Sequence, residues 1–227
     1  MNIIIATIKG WNIDNAKEFK QNNLNYNIRV IDNKDELNFE TVSKFNPDYI
    51  FLPHWSWIIS EKIFNNFETI VFHIADLPYG RGGSPLQNLI KRGIENTKIS
   101  ALRVDGGLDT GDIYIKNDLN LNGTAEEIFL RASNVIYNEM IPYIIENDIE
   151  LTKQSGEAVE FSRREPSQSE IKKDLSLKEI FDHIRMLDAE GYPKAFIDFG
   201  NYRIKFKRAS LKHKKLIADV EIIEKGN

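Results

Sequence analysis

The chain has 227 residues, of which 41% are hydrophobic, and this length suffices for one good core with a small addition. It contains no cysteine, which excludes a disulfide framework, a thiolate metal site and a cysteine nucleophile. The net charge of −4 argues against a general nucleic-acid binder, so we expect no nucleic-acid partner. No basic leader precedes the first strand and no apolar run approaches the ~20 residues of a membrane span, so we expect a cytoplasmic protein without membrane contact.

Short β-branched runs alternate with helical patterns through the first half of the chain. The patterns predict, in order, a strand at 2–6, a helix at 16–21, a strand at 28–31, a helix at 35–45, strands at 49–52, 69–74 and 98–104, and a strand beginning at 112–115. Short strands separated by helices are typical of a doubly wound, Rossmann-like, mainly parallel α/β sheet.

The second half begins with a capping box at Thr124, which predicts a long amphipathic helix. A polar, linker-like stretch at 152–169 precedes a second capping box at Ser176 and a helix to about residue 187. Alternating segments then predict a small antiparallel sheet. We therefore expect a catalytic domain at 1–150 and a small α+β extension at 151–227. The extension would pack on the catalytic domain or on a twin subunit of a homodimer, burying Ile180, Ile184, Phe196 and Phe199.

A predicted strand delivers His73 to a turn that contains Gly80, Gly82 and Gly83. Catalytic groups of α/β proteins sit at the carboxyl ends of parallel strands, so His73 is a candidate catalytic residue. The alternative is a core histidine satisfied by a backbone carbonyl. Ser84 and Pro85 then predict the N-terminus of a helix.

The loops after the first and third strands contain all three tryptophans, in the runs Lys9-Gly10-Trp11-Asn12 and His54-Trp55-Ser56-Trp57. The rings could simply cover the sheet, but their position favours stacking on a flat ring of a bound ligand. Lys9 and Gly10 could approach a phosphate at a helix N-terminus, with an ordinary surface lysine as the alternative.

Two motifs carry a family resemblance. The residues His73, Leu77-Pro78, Arg81-Gly82, Pro85 and Gln87, followed by Gly107-Leu108-Asp109-Thr110-Gly111-Asp112, resemble the signature of the folate-dependent formyltransferases. The resemblance implies an N-formyltransferase that takes its formyl group from N10-formyltetrahydrofolate and needs no metal. It implies His73 and Asp109 as the catalytic pair. A catalytically inactive folate-binding or nucleotide-sugar-binding paralogue is the alternative from another class.

The remaining site residues are assigned by the same resemblance together with their positions at strand ends. Those expected to bind the folate are Trp55, Trp57, Ile58, Ile59, Asp105, Gly106, Leu108 and Asp109. Those expected to bind the acceptor are Lys9, Gly10, Trp11, Asn12, His54, Tyr79, Gly80, Arg81, Gly82, Gly83 and Gln87. Asp105 and Asp112 could also suggest a cation site, but loop capping beside glycine is the simpler interpretation.

One position departs from the family pattern. The family has an asparagine two residues before its catalytic histidine, and Val71 stands there. Residues two apart on a strand share a face, so Val71 faces the same side as His73 without offering a donor. We expect His54, at the end of the neighbouring strand, to supply the missing hydrogen bond, with Ser56 or an ordered water as the alternatives.

The acceptor is chosen by comparison within the family. The short segment after Ile149, the acidic composition and the run His54-Trp55-Ser56-Trp57 resemble the nucleotide-sugar enzymes of the pseudaminic acid pathway. We therefore expect a nucleotide-linked aminodideoxy sugar as the small-molecule acceptor, with methionyl-tRNA or glycinamide ribonucleotide as alternatives. The basic run from Lys205 to Lys215 could bind an anionic partner, although a solvated hairpin face is favoured.

Overall fold

The computed structural model describes residues 1–225, which form two compact units. The first consists of Met1–Gly82, Thr97–Leu119 and Leu130–Glu160. The second consists of Gly83–Asn96, Asn120–Phe129 and the described chain from Phe161 onward. Each unit therefore draws on three stretches of sequence. The predicted division between residues 150 and 151 stays a prediction.

The main sheet confirms the predicted fold class. Within the described residues the strands are β1 (Asn2–Ala6), β2 (Asn27–Ile31), β3 (Tyr49–Pro53), β4 (Thr69–His73), β5 (Tyr79–Gly82), β6 (Asn96–Arg103), β7 (Ile113–Asn120), β8 (Val159–Phe161), β9 (Ala195–Phe199), β10 (Tyr202–Lys212) and β11 (Lys215–Glu224). Six of them form one sheet in the order β2-β1-β3-β4-β6-β7. The pairs among the first four are parallel, whereas β4 and β6 are antiparallel. Ile3, Ile4 and Ile5 of β1 are fully buried, as expected for a strand covered on both faces.

The helices follow the predicted alternation with changed boundaries. They are α1 (Gly10–Asn22), α2 (Phe39–Phe45), α3 (Glu61–Phe64), α4 (Pro85–Lys91), α5 (Ala125–Val135), α6 (Ile141–Glu146) and α7 (Leu177–Arg185), with a π-helical turn at Ile136–Met140 between α5 and α6. Both predicted capping boxes are present, since Thr124 and Glu127 bond reciprocally, as do Ser176 and Glu179. Ser84 precedes α4 but makes no side-chain cap bond. None of the helices within residues 1–225 is long and apolar enough to cross a membrane.

The second unit contains the predicted antiparallel sheet, in the order β11-β10-β9. Ile184 and Phe196 are buried as expected, but Phe199 is 71% exposed, so its predicted burial within the single chain is wrong, and its burial against a twin subunit stays a prediction. Phe196 and Phe199 are three residues apart on β9, and an odd separation on a strand places side chains on opposite faces. Only one of the two can therefore point to a given side of this sheet.

Candidate active site

His73 is the last residue of β4 and is only 7% exposed. Its Nε2 atom lies 2.7 Å from the carbonyl oxygen of Gly80, and its Nδ1 atom lies 3.5 Å from Oδ2 of Asp109. A carbonyl oxygen can only accept a hydrogen bond, so the proton on Nε2 is committed to Gly80. Nδ1 therefore carries whatever chemistry the ring performs. The structure brings together the two residues that the sequence singled out as catalytic.

Asp109 lies on the loop between β6 and β7, where glycine is required by close packing. A Cβ atom on Gly107 would lie 2.0 Å from Oγ1 of Thr110, and one on Gly111 would lie 1.8 Å from the carbonyl oxygen of Arg103. Asp109 itself has φ of 53°, a left-handed conformation that is unfavourable for a residue with a Cβ atom. Its Oδ2 accepts the backbone N–H of Gly82 at 2.9 Å. The tight loop thus fixes one carboxylate oxygen against β5.

Gln154 also belongs to this site, although no feature of the sequence pointed to it. Its amide nitrogen donates to the carbonyl oxygens of Asp109 and Gly111, each at 2.8 Å. Its amide oxygen accepts from Nε and Nη2 of Arg81 at 3.0 and 2.7 Å. The surrounding segment is held by a bridge between Thr152 and Ile113 and by the pairing of β8 with β5. The stretch that looked like a linker therefore contributes directly to the site.

His54 follows β3 directly, and strand pairing places its backbone near that of His73. Pro53 pairs with Phe72, and each is followed directly by a histidine: His54 in the turn after β3 and His73 as the last residue of β4. The ring of His54 packs edge-on against Trp11, with 5.3 Å between centroids. Burial, reinforced by the charge of Lys9, lowers its pKa from 6.5 to about 4. The ring is therefore neutral at physiological pH, and its catalytic role stays a prediction.

Val71 occupies the position that the family gives to asparagine, and its side chain is partly buried. Its side chain packs against an apolar cluster formed by Leu77, Leu102 and Ile113. It pairs across the sheet with Leu52 on one side and Leu102 on the other. The position has thus become part of the hydrophobic packing beneath His73.

The residues predicted to bind folate fall into two groups. Trp55 and Ile59 pack on the core cluster of the sheet, and Asp105 accepts hydrogen bonds from Gly107 and Thr110, which is the loop-capping interpretation. Asp105 and Gly106 are exposed, as are Trp57 at 43%, Leu108 at 70% and Ile58 at 100%, whereas Asp109 is partly buried. The exposed group can meet a ligand without rearrangement.

The residues predicted to bind the acceptor are also divided. Helix α1 begins at Gly10 rather than at residue 16, so Gly10, Trp11 and Asn12 form its first turn and Lys9 is its N-cap. The side chain of Asn12 is buried, donates to Thr7 and Pro53, and accepts from Ser133. It therefore ties α1 to the end of β3.

Three further predicted acceptor residues are divided between the two units. Tyr79 is the half-buried first residue of β5, whereas Gly83 and Gln87 belong to the second unit. There the Gln87 amide donates to the carbonyl oxygen of Met186. Among residues 1–225 no group of three or more His, Asp or Glu side chains is placed to hold a metal ion.

Two family models match parts of this chain. A family model described as formyl transferase matches residues 12–134, and one described as methionyl-tRNA formyltransferase, C-terminal domain, matches residues 166–223. A methionyl-tRNA formyltransferase from Sulfurihydrogenibium sp. is 28% identical over 205 residues, covering 85% of this chain and 65% of the relative. The chain thus spans slightly less than two thirds of that protein's length.

Solved structures extend the comparison. A methionyl-tRNA formyltransferase from Clostridium thermocellum has 62% identity and a TM-score of 0.98, covering 99% of this chain and 100% of that one. HypX from Aquifex aeolicus, solved with tetrahydrofolic acid, has 16% identity and a TM-score of 0.75, covering 91% and 37%, and shares the fold. Since the formyl transferase model matches more than half of the residues, this chain belongs to the formyl transferase family.

Proposed function

We propose that this protein transfers a formyl group from N10-formyltetrahydrofolate to the amino group of methionyl-tRNA. The observation that carries the proposal is the 62% identity, along essentially the whole of both chains, to the Clostridium thermocellum protein of that name. The His73–Asp109 pair supplies chemistry suited to the reaction. HypX, which shares the fold, was solved with tetrahydrofolic acid, in keeping with a folate donor.

Two predictions from the sequence are wrong in this light. The expected acceptor was a nucleotide-linked aminosugar, and no nucleic-acid partner was expected, whereas the relatives are named for methionyl-tRNA. Residues 166–223 match a C-terminal domain of the same name, despite the short tail. The net charge of −4 misled because a sum over the chain does not report how the charges are distributed.

Formyl transfer requires attack by an amine nitrogen on the formyl carbon, stabilisation of the negative charge on the formyl oxygen, and loss of a proton from the attacking nitrogen. The bond between the formyl carbon and N10 of the folate then breaks, and N10 takes up a proton as tetrahydrofolate leaves, which balances the proton lost by the amine. His73 stabilises the developing oxyanion through Nδ1 when that atom carries a proton, because Nε2 is committed to Gly80. Asp109 accepts the proton from the amine through Oδ2, which Gly82 keeps in place. The 3.5 Å between Nδ1 and Oδ2 allows both atoms to face one reacting centre.

The β10–β11 hairpin offers positive charge for the phosphates of the acceptor. Near its base, Lys205 is paired across the strands with Glu221, and Lys207 with Asp219. At its tip Lys212 is paired with Lys215, and the run 211–217 contains no acidic residue. Like charges directly opposite each other are unfavourable in an isolated hairpin and are relieved by a bound anion. The net charge of −4 for the whole chain does not reveal this local basic cluster.

A second basic cluster surrounds His183 in the same unit. Burial lowers the pKa of His183, and the nearby charges of Arg164, Lys91 and Lys172 lower it further. The hydrogen bond from its ring to the Ser169 carbonyl opposes this shift only in part. Lys172 is already paired with Glu170 at 2.6 Å, so Arg164 and Lys91 are the cations of this cluster that could attract a phosphate.

The test uses the full chain with N10-formyltetrahydrofolate and three acceptors: methionyl-tRNA, uncharged tRNA and a panel of nucleotide aminosugars. We expect formylmethionine, detected by mass spectrometry after deacylation, with methionyl-tRNA alone. Formylation of an aminosugar without formylation of methionyl-tRNA would reject the proposal.

A further inference from the structure

We propose that Gln154 is the positioning residue of this active site, holding the Asp109 loop and β5 at the separation that the His73–Asp109 pair requires. The inference rests on the proposed formyl transfer for its kinetic consequence, but not for its structural one. The Gln154 amide bonds to the backbone carbonyl of Asp109, and its hydrogen bonds include neither the Asp109 carboxylate nor the His73 ring. It therefore acts through its neighbours.

The amide of Gln154 uses its full hydrogen-bonding capacity. Its two N–H groups donate to the Asp109 and Gly111 carbonyls, and its oxygen accepts two N–H groups of Arg81. The first two bonds reach the loop between β6 and β7, and the other two reach the middle of β5. A single side chain thus joins the two backbone segments that contact the catalytic pair.

Together with the bonds that β5 makes to His73 and Asp109, these bonds form a closed ring of contacts, which we call the circuit. On β5, Gly80 accepts from His73 and Gly82 donates to Asp109, so the residues on either side of Arg81 contact one catalytic side chain each. Gln154 links the side chain of Arg81 back to the carbonyl of Asp109. A displacement of either segment would change the distance between Nδ1 and Oδ2.

The backbone of Asp109 gives this circuit a specific task. Its φ of 53° lies in the left-handed region, which aspartate tolerates better than most residues but which neighbouring contacts must still favour over the extended and right-handed regions. The Gln154 amide holds the carbonyl of this same residue, and its second N–H holds the carbonyl two residues further on. Removing the amide would release the strained residue that carries the carboxylate.

Two substitutions distinguish the role of the Gln154 N–H groups from that of its oxygen. Gln154→Met keeps the length and loses all four bonds. Gln154→Glu keeps an acceptor for Arg81 but has no N–H for the two loop carbonyls, and it sets a carboxylate against them. If Gln154 acts through Asp109, both variants lower kcat by roughly 10- to 100-fold with little change in KM for the formyl donor. In an Asp109→Asn background, Gln154→Met should then lower kcat by less than about a further 3-fold.

A wild-type kcat in Gln154→Met, or an undiminished effect in the Asp109→Asn background, overturns the proposal. Near wild-type activity in Gln154→Glu would also overturn it, because the Arg81 contact alone would then suffice. Ser155→Ala is the matched control, since Ser155 is the exposed next residue of the same segment. It should keep wild-type kinetics.

Amide hydrogen exchange provides a readout that needs no substrate. The Gly82 N–H donates to Asp109, so its exchange, followed by NMR, should be about 10-fold faster or more in Gln154→Met and unchanged in Ser155→Ala. Unchanged exchange in Gln154→Met overturns the positioning role. If the wild-type protein formylates none of the acceptors, the proposed function fails, while the exchange measurement still decides the role of Gln154.

Discussion

The Nδ1 atom of His73 faces the Oδ2 atom of Asp109 across 3.5 Å, a separation slightly too long for a good hydrogen bond. Both atoms are therefore available to a reacting group. We expect His73→Ala and Asp109→Asn each to lower kcat by roughly 10²-fold or more, because each removes a group that acts on the transition state. Asp118→Asn, at an exposed ion pair on β7, should remain active. Near wild-type rates in both site variants, with unchanged melting temperatures, would contradict the mechanism.

Val71→Asn tests whether the family amide can still act at this position. The new side chain would enter the apolar cluster of Leu77, Leu102 and Ile113, so we expect about 1–3 kcal/mol of destabilisation in urea unfolding. Because residue 71 shares a face with His73, we also expect the change to restore part of the activity lost in His54→Ala. Val71→Thr, which is similar in shape but carries no amide, is the control. Equal rates for the Asn and Thr variants would show that the amide does not reach the site.

His54 should make stability depend on pH. Burial, with the help of Lys9, lowers its pKa to about 4, so below pH 6.5 the unfolded chain takes up this proton more readily than the folded chain. The contribution of the neutral His54 ring to the free energy of unfolding is complete above pH 6.5 and is lost as the pH falls towards 4. Between pH 7 and pH 5 the loss is about 2 kcal/mol of unfolding free energy.

Urea unfolding of His54→Gln should therefore show a weaker loss of stability over this range than the wild type. His213→Gln, at an exposed position of the β10–β11 turn, should retain the wild-type pH dependence. Parallel curves for wild type and His54→Gln would mean that the ring is not buried as a neutral group. The same His54→Gln protein, assayed at pH 7, measures any catalytic contribution.

Arg185 should be one of the most costly residues to replace in the second unit. Its side chain is 7% exposed, pairs with Asp182 at 2.6 Å, and donates to the carbonyl oxygens of Leu121 and Gly123. Arg185→Leu leaves these acceptors without their donor, so we expect a loss of about 3–5 kcal/mol in unfolding free energy. Arg29→Leu, at the exposed pair with Glu36, should cost about 1 kcal/mol or less. Similar losses for the two variants would contradict this assignment.

The hairpin tip should control the salt dependence of methionyl-tRNA binding. Replacing Lys212, Lys214 and Lys215 by glutamine removes up to three phosphate contacts. We expect weaker binding and a slope of log affinity against log salt that is shallower by about 2. Lysines of the first unit, such as Lys34, provide the control. An unchanged slope in the triple variant would show that the tip does not meet the nucleic acid.

Sequence patterns were sufficient where the determining interactions are local. The capping boxes at Thr124 and Ser176 lie within four residues of the helix starts that they specify, and both are present. The start of α1 was missed because its first turn contains glycine and asparagine, which are poor helix formers, and is held instead by the buried bonds of Asn12. Local propensity carries no information about such distant partners.

The same limit explains the missed part of the site. His73 and Asp109 stand in recognisable motifs, whereas Gln154 has no local signature and lies in a polar stretch that resembles a linker. Its role depends on the bridge between Thr152 and Ile113 and on the pairing of β8 with β5, which are contacts between distant parts of the sequence. The hairpin charge was visible in the sequence, but only strand register shows that Lys212 is opposite Lys215.

The hydrogen bonds of the buried Arg185 guanidinium extend beyond the residues that the C-terminal family model matches. The family model for the C-terminal domain matches residues 166–223 as one contiguous piece, yet two carbonyl oxygens that accept from Arg185 belong to Leu121 and Gly123, outside that piece. A peptide excised at residue 166 would keep the arginine and its partner Asp182 but would lose these two acceptors. An expression fragment cut at the family boundary should therefore be less stable than the same residues within the full chain.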